Sequence, residues 1–265
     1  MCPFFYDMGY SSGISIFKKP LGKNPGKELM IRYSIIKEKN PREIVLLRGS
    51  GCQWRRCRFC DYHLDYSKDA NANYELNRAQ LARVTGCYER LEVINSGSFV
   101  DLDEKTLNLI EETCLNKHIT QLHFECHWMH REAVPALRKR FKEKGITVKI
   151  KIGVETFDAP FRESYLDKGI TTEDPAEIAS YFDEVCLLFG LPGQNVDSMR
   201  SDIDTGLTHF DRVCVNIMTT NKMPIQPDRR VIELFIKQIY PDYQNNPRVD
   251  ILMENTDFGV GGNDK

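Results

Sequence analysis

The sequence predicts an α/β fold, an open barrel built from six strand-then-helix units in series. Three observations predict it. Short β-branched runs alternate with amphipathic helical patterns from residue 43 onward, which argues for parallel strands joined by right-handed crossovers. The length of 265 residues suits one α/β barrel domain. Glycine-bounded loops follow several of the runs, where parallel α/β proteins place their chemistry.

Residues 1–43 carry turn signals, Gly-Tyr-Ser-Ser-Gly and Pro-Leu-Gly-Lys-Asn-Pro-Gly, around a short apolar segment, with 31–36 as a strand or helix. They read as an N-terminal cover. The barrel proper, 44–240, has expected strands at 44–47, 91–94, 121–124, 148–152, 184–189 and 213–217. Expected helices lie at 78–85, 104–116, 131–144, 175–181, 196–208 and 229–239. The C-terminal extension, 241–265, holds a further strand at 249–253 and a Gly-rich tail, expected on the substrate side.

Thirty-six basic residues against 38 acidic ones leave a formal charge of -2, so no excess of positive charge invites a long polyanion. A nucleotide-sized ligand remains compatible, and no stable nucleic-acid complex is expected. No signal-peptide pattern opens the sequence and no apolar run is long enough to cross a bilayer, so a cytoplasmic protein without a membrane partner is expected. In a reducing cytosol the nine cysteines point to metal binding before disulfides.

Three of them, Cys52, Cys57 and Cys60, fall at C-x4-C-x2-C in the loop after the first strand. Three thiolates so close ask for a metal. His63 follows at the x2 interval and would complete a Cys3His zinc site, with Trp54, Arg55, Arg56, Arg58 and Phe59 as a basic and aromatic nucleic-acid surface. A 4Fe-4S cluster would take the three cysteines and keep one iron open for catalysis. Spacing alone leaves both open. Cys2, Cys87, Cys114, Cys126, Cys186 and Cys214 show no short pairing and read as structural.

Residues just after the other strands share the same rim. The second strand ends in Asn95-Ser-Gly-Ser-Phe-Val-Asp101, where Ser96, Gly97 and Ser98 offer hydroxyls and backbone N–H groups to a ligand, or where Asp101 or Asp103 caps a helix. The third places Glu125 and His127 at the rim, and the fourth Glu155, suited to a ribose diol. The fifth ends in Gly190-Leu-Pro-Gly193, a tight turn, and the sixth carries Asn216 inside an apolar run, where an amide needs partners.

The cysteine loop with Phe59 before its last cysteine, the Asn-Ser-Gly-Ser-Phe turn, Gly-Val-Glu-Thr and Gly-Leu-Pro-Gly together resemble the radical S-adenosylmethionine superfamily, although x4 stands where that superfamily usually has x3. The resemblance implies a partial (β/α)6, TIM-like barrel holding a 4Fe-4S cluster on Cys52, Cys57 and Cys60. It implies S-adenosylmethionine (SAM) bound by Phe59, Ser96, Gly97, Ser98, Glu155, Leu191 and Asn216, and an external one-electron reductant of the flavodoxin or ferredoxin type. Within the superfamily the Asn-Ser-Gly-Ser-Phe-Val-Asp segment is similar to enzymes of 7-deazaguanine metabolism. That likeness implies radical attack on the ribose of a small nucleotide, queuosine 5'-phosphate, with loss of its base, the modification of intact transfer RNA being the alternative. For such a base Glu254 and Asp257 are the expected polar contacts and Phe258 the stacking ring, with Glu125 and His127 as further expected substrate contacts. Arg48, Arg55, Arg56 and Lys222 are expected near the phosphate.

Overall fold

The computed structural model describes residues 31–253. Its eight strands are β1 (Tyr33–Ile36), β2 (Arg42–Leu47), β3 (Arg90–Asn95), β4 (Gln121–Glu125), β5 (Thr147–Glu155), β6 (Glu184–Phe189), β7 (Arg212–Ile217) and β8 (Val249–Leu252). They form one sheet in sequence order, parallel from β2 to β8, with β1 antiparallel at one edge. The six expected barrel strands are all present, and the segment at 31–36 is a strand. Strand β8 adds to the far edge, as its β-branched run suggested. No helix of the described residues is long and apolar enough to cross a membrane.

Period-2 alternation divides each strand between two environments. Val45, Leu47, Val93, Leu122, Phe124, Ile150, Val185, Leu187, Val213 and Val215 face outward into the main core under the helices. The opposite face lines the barrel interior, and at its closed end it is charged. Arg42 meets Glu92 at 2.5 Å, Arg212 meets Glu184 at 2.7 Å and Asp250 at 2.9 Å, and Lys151 also bonds Glu92. Arg42 on β2 lies 3.7 Å from Asp250 on β8, and Lys39 donates to the Val249 carbonyl at 2.9 Å. Strands from opposite ends of the sheet therefore meet, and the barrel curls nearly shut at this end.

Burial alone would raise the carboxyl of Glu92, but Lys151, Arg42 and Arg212 outweigh it and hold the group well below its usual range. Burial likewise works against the Glu184 carboxylate. His123, whose Nδ1 lies 3.1 Å from Glu184 Oε1, and the Arg212 guanidinium overcome it and hold the group at about 2.

The helices are α1 (Ala70–Leu81), α2 (Glu104–Asn116), α3 (Val134–Lys142), α4 (Pro175–Tyr181), α5 (Val196–His209), α6 (Arg229–Gln238) and α7 (Tyr240–Tyr243). Five lie close to where the periodicity put them. Helix α1 starts eight residues before the expected 78, because its inward face is Asn73, Asn77 and Leu81 and apolar periodicity cannot reveal it. Those asparagines bond the chain leaving β2, Asn77 pairing with both the N–H and the carbonyl of Arg48. A 3₁₀ turn, Trp128–Ala133, replaces the start of the expected helix at 131.

Replacing Glu92 by Gln strands Arg42 and Lys151 against a neutral amide, and breaking such a pair from one side is expected to destabilise by about 3–5 kcal/mol. Thermal unfolding of E92Q at neutral pH reads this directly. Because the folded carboxyl of Glu184 lies near 2, below its ordinary 4.5, its contribution is complete above about 4.5 and is lost as pH falls toward 2. The Tm difference between the protein and E184Q should therefore shrink through that window.

Candidate active site

The carboxyl ends of the strands surround a cavity of about 410 Å³, within the usual range for a ligand site. Cys52, Cys57 and Cys60 line one side, and Ser96, Gly97, Glu125, Lys151, Gly153, Glu155, Lys168, Cys186 and Asn216 line the rest. An open depression along α5 is as large, but it gathers only one helix's surface side chains, such as Arg200 and Asp204.

The cysteine loop has little regular structure, and its position comes from a second segment, residues 166–169. Arg58 N–H donates to the Leu166 carbonyl at 3.0 Å, Trp54 Nε1 to that of Asp167 at 2.8 Å, and Arg56 pairs with Asp167 at 3.1 Å. Gly169, at φ +74°, lies so close under the Trp54 ring that a Cβ would come within 2.3 Å of it. From the far side Asn221 Nδ2 donates to the Phe59 carbonyl at 2.7 Å. Phe59 itself packs in a small apolar cluster with Leu166, Leu188, Leu191 and Met218.

Segment 166–169 also delivers Lys168, whose Nζ lies 2.7 Å from Glu155 Oε1 and 5.6 Å from the Phe59 ring centre. Glu155 sits at φ +69° beside an irregularity in the β5–β6 register between Gly153 and Glu155. A bulge of this kind re-aims a side chain. Such a backbone costs about 1–3 kcal/mol and persists where its surroundings fix it. Burial favours neutral Lys168, but Glu155 and then Cys57 reverse that and raise its pKa. Burial pushes the Cys57 thiol up to about 11 and Cys60 to about 12, with Lys168 opposing both shifts.

Gly97 earns its place by close approach: a Cβ there would lie 2.4 Å from Asp101 Oδ2 and 3.1 Å from the Cys52 nitrogen. The Asn95–Asp101 turn therefore packs directly on the cysteine loop, where Ser50 N–H also donates to the Asp101 carbonyl at 2.9 Å. Ser96 faces the cavity. Ser98 does not: it is buried, its Oγ accepts from His127 N–H at 2.9 Å, and its N–H donates to Asp101 Oδ2 at 2.7 Å. Asp101 caps this turn, and Asp103 caps α2.

Several expectations need correction. His127 lines the cavity, but its Nδ1 accepts from Met129 N–H at 3.2 Å and its Nε2–H donates to the Lys168 carbonyl at 2.8 Å, so neither nitrogen is left for a ligand. Burial and then the Lys168 cation push it down to about 3, which keeps the ring neutral while it stacks on Trp54 at 5.4 Å. Leu191 lies behind the wall, fully buried, with its N–H bonded to Gln194 Oε1 at 2.9 Å. Arg48 is turned away toward α1, bonding Asn73 at 2.7 Å, and it is absent from the cavity lining along with Arg56 and Lys222. Arg55 alone of the expected phosphate contacts reaches the cavity. Glu254, Asp257 and Phe258 lie outside the described residues.

Glu125 is brought into the site, with one carboxylate oxygen 3.1 Å from Lys151. Lys168 and Lys151, unmarked by any motif, are the charged cavity-lining positions that sequence reasoning missed. For Lys151 a signal existed: a lysine alternates with Val148, Ile150 and Ile152, so it faces inward. Cys114 is a core residue as expected, Cys126 belongs to the core and also borders the cavity, and Cys186 borders it too.

Among the described residues no three His, Cys, Asp or Glu side chains stand close enough to hold a single metal ion. His63, the fourth donor of a zinc site, gives its Nδ1 proton to the Cys60 carbonyl at 2.9 Å and joins no such set. A cluster asks less: one sulfur for each of three irons, all bordering one space, where a nearby cation such as Lys168 offsets the charge of the thiolates. Cys52, Cys57, Cys60 and Lys168 fit that demand.

No protein-family model matches the chain, and no curated protein does. Among solved structures, the queuine lyase from Clostridium spiroforme, bound to SAM and queuine, is 40% identical with a TM-score of 0.83, over 88% of this chain and 100% of that one. A putative sporulation-specific glycosylase, ydhD from Bacillus subtilis, aligns at 9% identity and a TM-score of 0.30 over 74% of this chain and 72% of that one, too weakly to bear on the site.

Replacing His127 by Ala removes the bond that pins Lys168 and the ring beneath Trp54. A stability loss of about 1–3 kcal/mol is expected in denaturant unfolding, with faster amide exchange at 167–169. A variant that unfolds like the parent and only binds ligand less well would return His127 to the binding residues.

Proposed function

The chain belongs to the queuine lyase family of radical SAM enzymes, and from that premise we propose that it cleaves the N-glycosidic bond of queuosine 5'-phosphate and releases queuine. The observation that carries this reading is the cavity itself. It gathers three thiols, two fixed ion pairs and a close-packed Ser-Gly turn in a chain whose 40%-identical relative holds both SAM and queuine.

In this reading Cys52, Cys57 and Cys60 hold a 4Fe-4S cluster. When bound, the cluster supplies an open iron and an electron, and SAM the carbon radical that takes hydrogen from the ribose. The protein's part is to place and to exclude. Ser96 and the Gly97 backbone meet the amino-acid end of SAM, Phe59 and Asn216 flank its adenosine, and Glu155, aimed by its bulge and steadied by Lys168, meets the ribose. Glu125 accepts from the guanine-like N1–H and 2-amino group. Its orientation is set by Lys151, whose ammonium is anchored below on Glu92. Close placement matters most, since about 1 Å of error can cost about a hundredfold in rate.

An external flavodoxin or ferredoxin is the electron source this chemistry needs. Arg55, Arg56 and Arg58 are exposed on the cysteine loop and give an acidic partner a place to approach. Intact transfer RNA is the weaker substrate reading, because the net charge of -2 provides little for a long polyanion.

Anaerobically purified protein incubated with queuosine 5'-phosphate, SAM and dithionite should give free queuine and 5'-deoxyadenosine by chromatography. Absence of both products overturns the proposal. Cys57→Ala should lose the iron and the brown colour. Glu125→Gln should keep both, bind SAM normally, and raise KM for the nucleotide by roughly tenfold or more, as expected for a hydrogen-bonded group left unpaired.

A further inference from the structure

Beneath the ligand-facing groups lies a pair of thiols that the reaction as described does not use. Cys186 on β6 and Cys214 on β7 are direct partners in the parallel register, both are buried, and each thiol feels the other. Cys186 borders the cavity, and Cys214 lies behind it.

The groups around the pair are polar and come from several strands. Lys151 of β5 and Glu125 of β4 face Cys186, while Arg212, Asp250 of β8 and Asn216, whose Oδ1 is 3.9 Å from Cys214 Sγ, surround Cys214. An apolar barrel interior would explain two small hydrophobes here; this one is lined with charge. Their interaction pushes Cys186 up and Cys214 down, with Lys151 and Arg212 adding to the second shift. Cys186 therefore keeps its proton on the side that faces the cavity, while Cys214 offers its own to Asn216 Oδ1.

Loss of a base from a ribose radical leaves an unpaired electron on the sugar. That carbon needs a hydrogen atom, and a thiol S–H is among the weakest X–H bonds a protein offers, weak enough to give its hydrogen to a carbon radical. Resting on the function proposed above, we infer that Cys186 is the hydrogen-atom donor to the sugar radical and that Cys214 is its redox partner.

In this step the Cys186 S–H bond breaks homolytically and a C–H bond forms on the sugar. The radical passes to Cys186 sulfur, where it is shared with the adjacent Cys214 sulfur. One electron from the flavodoxin- or ferredoxin-class reductant and one proton from solvent restore the thiol. Each turnover thus takes two electrons, one to cleave SAM and one to reset Cys186, and SAM is consumed.

Thiol protons exchange with solvent, and ribose C–H hydrogens do not. In D2O, with dithionite as reductant, the sugar phosphate released should carry one deuterium at the quenched carbon, read by mass spectrometry. Cys186→Ala should still form 5'-deoxyadenosine while the deuterium in the sugar product falls severalfold. Cys186→Ser, closer in shape, should behave the same, and iron content and cluster absorption report that either variant is folded. Cys214→Ser should complete a first turnover and slow in later ones. Full deuterium transfer in both Cys186 variants, or a wild-type sugar without solvent deuterium although queuine and 5'-deoxyadenosine are made, overturns the inference and leaves the lyase reading standing. Failure of the wild type to make either product overturns both.

Discussion

A loop without helix or strand carries the three cysteines, and its few internal bonds, such as Arg55 Nε to the Cys52 carbonyl and Cys60 N–H to that of Cys57, leave much of its geometry to be imposed from outside. Segment 166–169 imposes it. Leu166 and Asp167 accept from Arg58 and Trp54, and His127 pins the Lys168 carbonyl from below. The neutral state of His127 belongs to this design, because a charged ring would face Lys168 in a buried space. Cysteine loop, histidine and lysine thus form one unit, and the segment that buttresses the loop is the one that brings the lysine to the cavity.

The barrel interior is layered from closed end to mouth. At the closed end Arg42, Arg212 and Lys151 face Glu92, Glu184 and Asp250. Above them sit Cys186, Cys214 and Glu125, and at the mouth Ser96, Gly97, Glu155 and the cysteine loop. Lys151 joins the first two layers, bonding Glu92 below and Glu125 above. The charged floor shuts one end of the barrel and fixes the direction of a carboxylate in the cavity.

Much of this was legible in the sequence. The six β-branched runs marked the barrel strands, because period-2 patterning on a buried parallel sheet is strong. The motifs after them marked the rim. What the sequence hid depends on long-range pairing: α1 buries asparagines against Arg48, Lys168 arrives from a loop without a motif, and Leu191 and Ser98 occupy the right segments yet point into the structure. A motif locates a turn; which of its residues faces the ligand is decided by what packs behind it. The charged interior left a trace, since Glu92, His123, Lys151 and Arg212 each fall at an inward position of the alternation.

The two ion pairs in the cavity constrain what can bind there. Glu155 and Lys168 are nearly buried, and so is Lys151 beside Glu125. A buried charge that loses its partner is penalised by several kcal/mol, so a ligand that draws one member away must offer the other a replacement. A ligand ammonium or hydroxyl has a second oxygen to bond at Glu155 without displacing Lys168, since the lysine holds Oε1. A ligand carboxylate near Lys168 is likewise tolerated while Glu155 remains in place. The cavity thus favours ligands that carry both signs of charge over simple ions of either sign, and SAM, with its ammonium, carboxylate and sulfonium, is a ligand of that kind.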